Sequence, residues 1–425
     1  MKTWHFGSNN DNLVNLVLKG EKRATTYLFK EYLDEKEELP KVGSTSILLF
    51  NNEKKACVTR VTNVLVTEFK NINERHAYLE GEGDKSLEYY QKVHKDIFSK
   101  IDENFDDDSL VVFEEFEVVE DLTKKRLEYA SKIVLANQDI FGNMKHDITE
   151  INAGFNNDIF DIDNKYIIKA CTNIELEFKF ENEYNFYVNN SNFDFIPKLY
   201  KYENNKKNLG HIYEIIEKIE GKSLYYYYYK MNEKEKEDII KKIVLMLKSI
   251  HKEVKSDIDF SKYIKGEVLK YFNKTKKYFS NEEQKIILNS LNKYDEYLSD
   301  NHFSLIHNDL HFDNIIMSND KLYLIDFNDS CIMPFDYDLR ILYMCKETPW
   351  KWANIEMDPY QKKEDYQTIY EYIKKYYTEF SKIKYIDERM KIYRVLNDIE
   401  LLVNYNKKDL KENIINYSKE ILKDE

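Results

Sequence analysis

The stretch whose reading decides the fold is LIHNDLHFDNIIMSNDKLYLIDF, residues 305–327. An apolar approach, Leu305 and Ile306, runs into His307-Asn308-Asp309, and Asn314 follows five residues after Asp309. Ile315 to Met317 is short and apolar, Ser318 to Lys321 is a polar turn, and the next apolar run ends in Ile325-Asp326-Phe327. The pattern predicts a β-hairpin in which Asn314 opens one strand and Asp326 closes its partner. Antiparallel pairing then brings those two side chains to one end of the hairpin. Phosphoryl transfer needs such a set. Asp309 is the carboxylate that would orient the attacking hydroxyl and take its proton, and Asn314 and Asp326 are hard oxygen ligands for Mg²⁺ beside a triphosphate. His307 is expected to tie the loop together through ring hydrogen bonds.

Outward from this stretch the chain changes character. From about residue 232 the pattern is mainly helical, as in EDIIKKIVLMLKSIH, with the segment Asn314 to Phe327 as one short β island. Upstream, strand character appears at Ile148 to Ile151, Ile159 to Ile162 and Tyr166 to Ala170, after an amphipathic helix over 121–138. Earlier still, a helix over 11–19 stops at Gly20. A hairpin follows with arms at Thr45 to Phe50 and Ala56 to Val66, then a helix from Ser86 to Ser99 and a strand from Leu110 to Val119. The expected class is α+β. A small β-rich domain fills 1–120, and a bilobed domain fills 121–425, with a β-rich N-lobe at 145–220 and a helical C-lobe at 221–425. The five tyrosines Tyr225 to Tyr229 are read as helix packing with some exposed faces rather than as a base-stacking platform.

Bulk properties narrow the choices. With 425 residues, 42% hydrophobic, the chain has room and apolar mass for two or three cores. The formal net charge of −13 weighs against bulk nucleic-acid binding, which draws on a basic excess. Four cysteines, Cys57, Cys171, Cys331 and Cys345, form no CxxC pair and read as free thiols in a reducing compartment. No leader-like apolar core opens MKTWHFGSNN, and no run reaches membrane-span length, so a cytoplasmic chain without a membrane partner is expected.

HNDLHFDN followed by LIDF resembles the aminoglycoside phosphotransferase family, with its choline-kinase-like relatives of kinase-like fold, over roughly 145–400. HxDxxxxN is similar to these small-molecule enzymes rather than to protein kinases, whose GxGxxG loop and APE-like segment are not visible here. The resemblance implies ATP as donor, Mg²⁺ as cofactor and a small hydroxylated acceptor: an aminoglycoside, amino alcohol, sugar or nucleoside. It also implies a phosphate loop in NAGFNND around Gly154, and Lys169 of YIIKA on the α- and β-phosphates. Glu183 would be that lysine's helical partner, with Glu181 a close competitor. In YEIIEKIEGKSL it implies that the backbone of Glu217 and Ile219 holds the adenine. Asp338 in DYDLR is similar to the aspartate of the family's P-x-x-D-L segment and is expected to brace the catalytic loop. Acceptor contacts are expected in the helical region, including Trp350, Trp352, Glu356 and Asp358.

The first domain resembles another family. GEKRATT (20–26), HAYLEGEGDKSLEYYQKVH (76–94) and LVVFEEFEVV (110–119) are together similar to the ASCH domain, a small β-barrel related to RNA-binding folds. Some members hydrolyse acetylated cytidine with a Lys, a Thr and a Glu, and others bind or cleave RNA. Carried over by motif, Lys22 and Thr25 are the Lys and Thr, and Glu82 is the acid, with Glu80 and Asp84 as alternatives. A Lys beside a hydroxyl can polarise a carbonyl while a carboxylate moves protons. The competing reading makes this domain primary, as an RNA- or nucleoside-binding module or amidohydrolase, and the kinase-like part regulatory. Lys19, Lys22 and Arg23 favour it locally, and the overall acidity opposes it.

Overall fold

In a computed structural model of the chain, the apolar runs of the first domain form strands Lys2–Trp4 (β1), Ala24–Leu28 (β2), Thr45–Leu49 (β3), Lys55–Glu68 (β4) and Leu110–Asp121 (β5). The structure describes all residues except 8, 152–156, 355, 406 and 424–425, and the side chain of residue 208. The chain divides into two compact units. One is Met1–Asp163 with Ile168–Thr172 and Lys206–His211, and the other is Asn164–Ile167, Asn173–Asn205 and Ile212–Glu425.

In the first unit the five strands make one sheet in the order β1-β3-β4-β5-β2. Strands β3 and β4 are the expected hairpin, and β1 joins β3 in parallel. Helices Asn10–Leu18 (α1), Phe29–Glu35 (α2), Glu74–Glu80 (α3) and Leu87–Ile101 (α4) pack around it. In α4 the buried residues are Tyr90, His94 and Phe98, four apart, so one stripe faces the sheet. Phe113 and Phe116, an odd number apart on β5, serve two different apolar clusters, one with Phe69 and Phe98 and the other with Val14 and Leu48.

The join expected at residue 120 lies inside this unit. Helix Leu122–Ala136 (α5) follows β5 directly, and a second hairpin is made by Ile148–Ile151 (β6) and Asn157–Ile162 (β7). A charged network ties these pieces together. Lys54, from the β3–β4 turn, lies 2.6 Å from Glu150 Oε1 and 3.2 Å from Asp158 Oδ1. Arg126 of α5 donates to both Glu150 oxygens at 2.6 and 3.1 Å, and to the carbonyl of Lys55 at 2.6 Å. All four of these side chains are largely withdrawn from water.

Strand Tyr166–Cys171 (β8) is shared between the units by sequence. In the second unit a helix, Glu177–Asn190, precedes the antiparallel pair Leu199–Glu203 (β9) and Tyr213–Glu217 (β10). Long helices then dominate, among them Glu233–Ile250, Phe260–Thr275 and Ile386–Asn404. The single β island expected there is corrected to two small sheets. Lys222–Ser223 (β11) joins the hairpin of Ile315–Ser318 (β13) and Lys321–Leu324 (β14), and Phe303–Ile306 (β12) pairs with Cys331–Pro334 (β15). Strands of two to four residues carry too few positions to show a period of two, so only pairing reveals them. Tyr225 and Tyr228 are buried against Phe312, with ring centroids 5.4 and 4.8 Å away, as packing requires. Cys57, Cys171 and Cys345 are buried, and Cys331 is half-buried. Among the described residues, no helix is long and apolar enough to cross a membrane.

Candidate active site

The loop between β12 and β13 carries the oxygen-bearing groups. Asn308 takes a left-handed φ of 67°, which turns the chain sharply ahead of Asp309. His307 locks the turn: its Nδ1 accepts the Asp309 N–H at 3.3 Å, and its Nε2 donates to the carbonyl of Ile325 at 3.0 Å. These two bonds assign the Nε2–H tautomer and clip the loop to the end of β14. Asn314 Nδ2 donates to the Asp309 carbonyl at 2.8 Å and to its carboxylate Oδ2 at 3.3 Å. The Asp309 side chain remains 40% exposed, so an alcohol can reach it.

Burial works to raise the Asp309 carboxyl, but the hydrogen bond and charge of His311, backed by Arg340, hold it well below the usual carboxylate range. His311 responds in kind. Burial works to lower its imidazole, and Asp309, Asp313 and Asp326 outweigh that and raise it.

The hairpin does what its spacing implied. The N–H of Ile325 donates to the Asn314 carbonyl at 3.1 Å, which sets Asn314 and Asp326 at one end. Asp326 has a left-handed φ of 64°, and its Oδ1 accepts Asn328 Nδ2 at 2.6 Å. With its Nδ2 committed to Asp309, Asn314 has an Oδ1 that accepts no hydrogen bond among the described residues. An amide oxygen and a carboxylate are donors that fit Mg²⁺, which takes few protein ligands beside phosphate oxygens. Among the described residues, no group of three or more His, Cys, Asp or Glu could hold a metal.

Behind the loop sits Asp338, fully buried. Its carboxylate accepts the N–H of His307 at 3.0 Å and of Asn308 at 2.7 Å, and lies 3.0 Å from His251 Nε2. Arg340 donates to the Asn308 carbonyl at 2.7 Å. Phe327 stacks on Phe186 of helix Glu177–Asn190 with centroids 4.0 Å apart, and meets His307 at 5.2 Å. The contributions of His251, His311 and Arg340 were not read from the sequence. His311, two residues after Asp309, could have been. His251 carries no local signal, because its partner is 87 residues away.

The remaining expected residues are placed as follows. Lys169 lies on β8 and is buried. Glu183 is buried and its Oε1 accepts the Phe327 N–H at 3.4 Å, whereas Glu181 is exposed. Gly154 lies outside the described residues. Glu217 closes β10, and Ile219 follows in the link to β11. Trp350 is exposed, and Trp352 packs on the apolar core. Glu356 accepts the Tyr226 hydroxyl at 2.9 Å, Asp358 starts a short exposed turn, and Asn354 Nδ2 reaches Asp313 Oδ1 at 3.3 Å.

The first unit holds a separate buried cluster. Lys22 is 1% exposed and ion-pairs with Glu80 and, at 2.6 Å, with Glu82; it also donates to the Glu80 carbonyl at 3.3 Å. All three ammonium protons are therefore engaged. Burial works to lower Lys22, and the two carboxylates outweigh it and hold it above its ordinary value. The hydroxyl that meets this cluster belongs to Thr26, which donates to Glu80 Oε1 at 2.6 Å and accepts from Tyr90 at 2.8 Å. Thr25 projects from the other face of β2, since adjacent strand residues alternate. Asp84 is engaged elsewhere, accepting the Ser86 N–H at 2.9 Å. Gly81, at φ 73°, makes the approach of the 80–82 turn feasible, because a Cβ there would sit 2.2 Å from the Glu21 carbonyl oxygen.

Two family models match the chain. The one described as phosphotransferase enzyme family matches residues 147–372, and the one described as ASCH domain matches residues 2–120. No curated protein matches the chain. Among solved structures, it is similar to the ASCH domain from Lactobacillus crispatus JV V101, at 32% identity over 28% of this chain and 79% of that one, with a TM-score of 0.27. It is also similar to the ADP-bound aminoglycoside phosphotransferase APH(2'')-Ib, at 19% identity over 69% of this chain and 97% of that one, TM-score 0.45. The streptomycin–ATP–APH(2'')-IIa ternary complex is 17% identical over 69% of this chain and 95% of that one, TM-score 0.47.

Proposed function

The chain belongs to the phosphotransferase enzyme family and is a phosphotransferase, and from that premise we propose that it moves the γ-phosphoryl group of ATP to a hydroxyl of a small hydroxylated molecule. The observation that carries the reading is Asp309, part-exposed on a loop whose next turn presents the Asn314 amide to it. The acceptor hydroxyl donates to Asp309 and is aimed by it. Its oxygen forms the new bond to the γ-phosphorus as the bond to the β–γ bridging oxygen breaks, and the proton passes to Asp309 as ADP leaves. A carboxylate held this acidic is a weak base, so its main contribution is orientation, with the proton arriving late in a loose transition state. Mg²⁺, held by Asn314 and Asp326, would neutralise charge on the phosphates. The backbone of Glu217 and Ile219 takes the adenine.

The acceptor class best matched is an amino sugar or amino alcohol. Asp313 and Glu356, with the Tyr226 hydroxyl, supply acids and a polar ring edge for a cationic polyol. The test is substrate-dependent ADP release with Mg²⁺ over a panel of aminoglycosides, amino alcohols, sugars and nucleosides. Asp309→Ala should cut turnover about 10²–10⁴-fold while nucleotide still binds. Turnover that survives that substitution sinks the reading.

The first domain supports a second, coarser reading as a binding module for RNA or a nucleoside. The exposed Lys19 and Arg23, beside the match to the ASCH domain, are the favouring features. For hydrolysis, a carbonyl would have to displace Glu82, the more exposed of the two acids on Lys22. Release of acetate from acetylated cytidine, absent in Lys22→Met, would establish that activity.

A further inference from the structure

A cavity of about 530 Å³ opens in the first unit between the sheet and α2 with the segment that follows it. It lies on the face of β2 opposite the Lys22 cluster. Tyr27 lines it, and Glu114 of β5, paired directly across from Thr25, forms part of its wall. Three rings face it, Trp4, Tyr27 and Tyr32, the last two meeting edge to face with centroids 6.1 Å apart.

Its charged groups do not balance. Lys2 is taken by Glu37 at 2.7 Å, and Lys41 by Glu38 at 2.5 Å. Glu31 accepts the Leu28 N–H at 3.0 Å. Glu35 and Glu114 are left without a hydrogen bond or ion pair among the described residues. Glu114 is the telling one. Burial, opposed by Lys2, pushes its carboxyl up to about 7. Burial of a carboxylate that has no hydrogen bond or close ion pair disfavours its ionised form, and a bound cation would reverse that.

We propose that this cavity binds an organic cation, its ammonium group held by Glu114 and Glu35 and its hydrocarbon body lying against Trp4, Tyr27 and Tyr32. Carboxylates supply the counter-charge, and aromatic faces attract the same ion through their quadrupoles. The size is that of a small-molecule site. The excess of carboxylates repels phosphate-bearing ligands, so RNA is not what this cavity takes. The inference stands apart from the phosphotransfer reading and does not depend on it.

The test is calorimetric titration of the full chain with benzyltrimethylammonium, with uncharged benzyl alcohol as control. The cation should bind one per chain and at least about tenfold tighter than the alcohol. Glu114→Gln, which keeps the side-chain shape, should weaken it about tenfold or more while phosphotransferase turnover is unchanged. Glu35→Gln, at an exposed position, provides a second reading should the first variant fold poorly. Equal affinity for cation and alcohol, or cation affinity unaltered by both variants, overturns the proposal.

Discussion

At Asp309 two influences oppose each other. Burial favours the neutral acid, and His311 with its neighbours favours the carboxylate and prevails. The lowered folded value means that the stabilising pairing is present above the carboxyl's unfolded value and is lost as pH falls through the folded one. In His311→Gln the largest opposing influence is gone while burial remains. The acid limb of the turnover profile should therefore move to higher pH, while turnover near pH 8 falls less than in Asp309→Ala. An unmoved acid limb would show that His311 does not set the Asp309 charge. Lys22 poses the converse case. Lys22→Met removes one ammonium from two carboxylates and strands Glu80 in the interior, which should cost about 3–5 kcal/mol in denaturant unfolding. Glu82→Gln, at the more exposed partner, should cost far less.

Among the elements, the β13–β14 hairpin matters most because it ends where three parts meet. Phe327, three residues past β14, stacks on Phe186 of helix Glu177–Asn190 and meets the His307 ring at a tilt. The ring thus holds the catalytic loop and that helix against one another within the second unit. Phe327→Ala should lose about 3–5 kcal/mol of stability from the cavity it opens. It should also lower turnover, since His307 loses the surface that seats it. Stability lost with turnover intact would separate packing from positioning. The small sheets serve the same end. The β12–β15 pair brings Asp338, four residues past Pro334, beneath the amides of His307 and Asn308.

For the whole molecule the notable feature is how far the first unit extends. Lys54 from the opening sheet and Arg126 from α5 meet Glu150 and Asp158 on the β6–β7 hairpin, so the ASCH-matching segment and the first strands of the phosphotransferase match fold as one body. A double-mutant cycle with Lys54→Met and Glu150→Gln should give a coupling of about 1–3 kcal/mol. Additive losses would reduce the network to a surface decoration.

Much was legible in one dimension, for a physical reason. The catalytic loop and its hairpin are contiguous, and strand period, turn chemistry and backbone pairing act over a few residues. The spacing of Asn314 and Asp326 therefore already implied a common end of one hairpin, with Asp309 on the loop before it. The helix at 122–136 and the β3–β4 hairpin were readable by the same local periods. Other features came only with burial, which brings together residues that share no spacing. The tertiary structure alone paired His251 with Asp338 and stacked Phe186 on Phe327. It also turned Thr26 rather than Thr25 toward Glu80, and engaged Glu80 and Glu82 together on one lysine. Local hydrogen-bond geometry is written in neighbouring residues, whereas the withdrawal of charge and ring from water depends on which distant segments close over them.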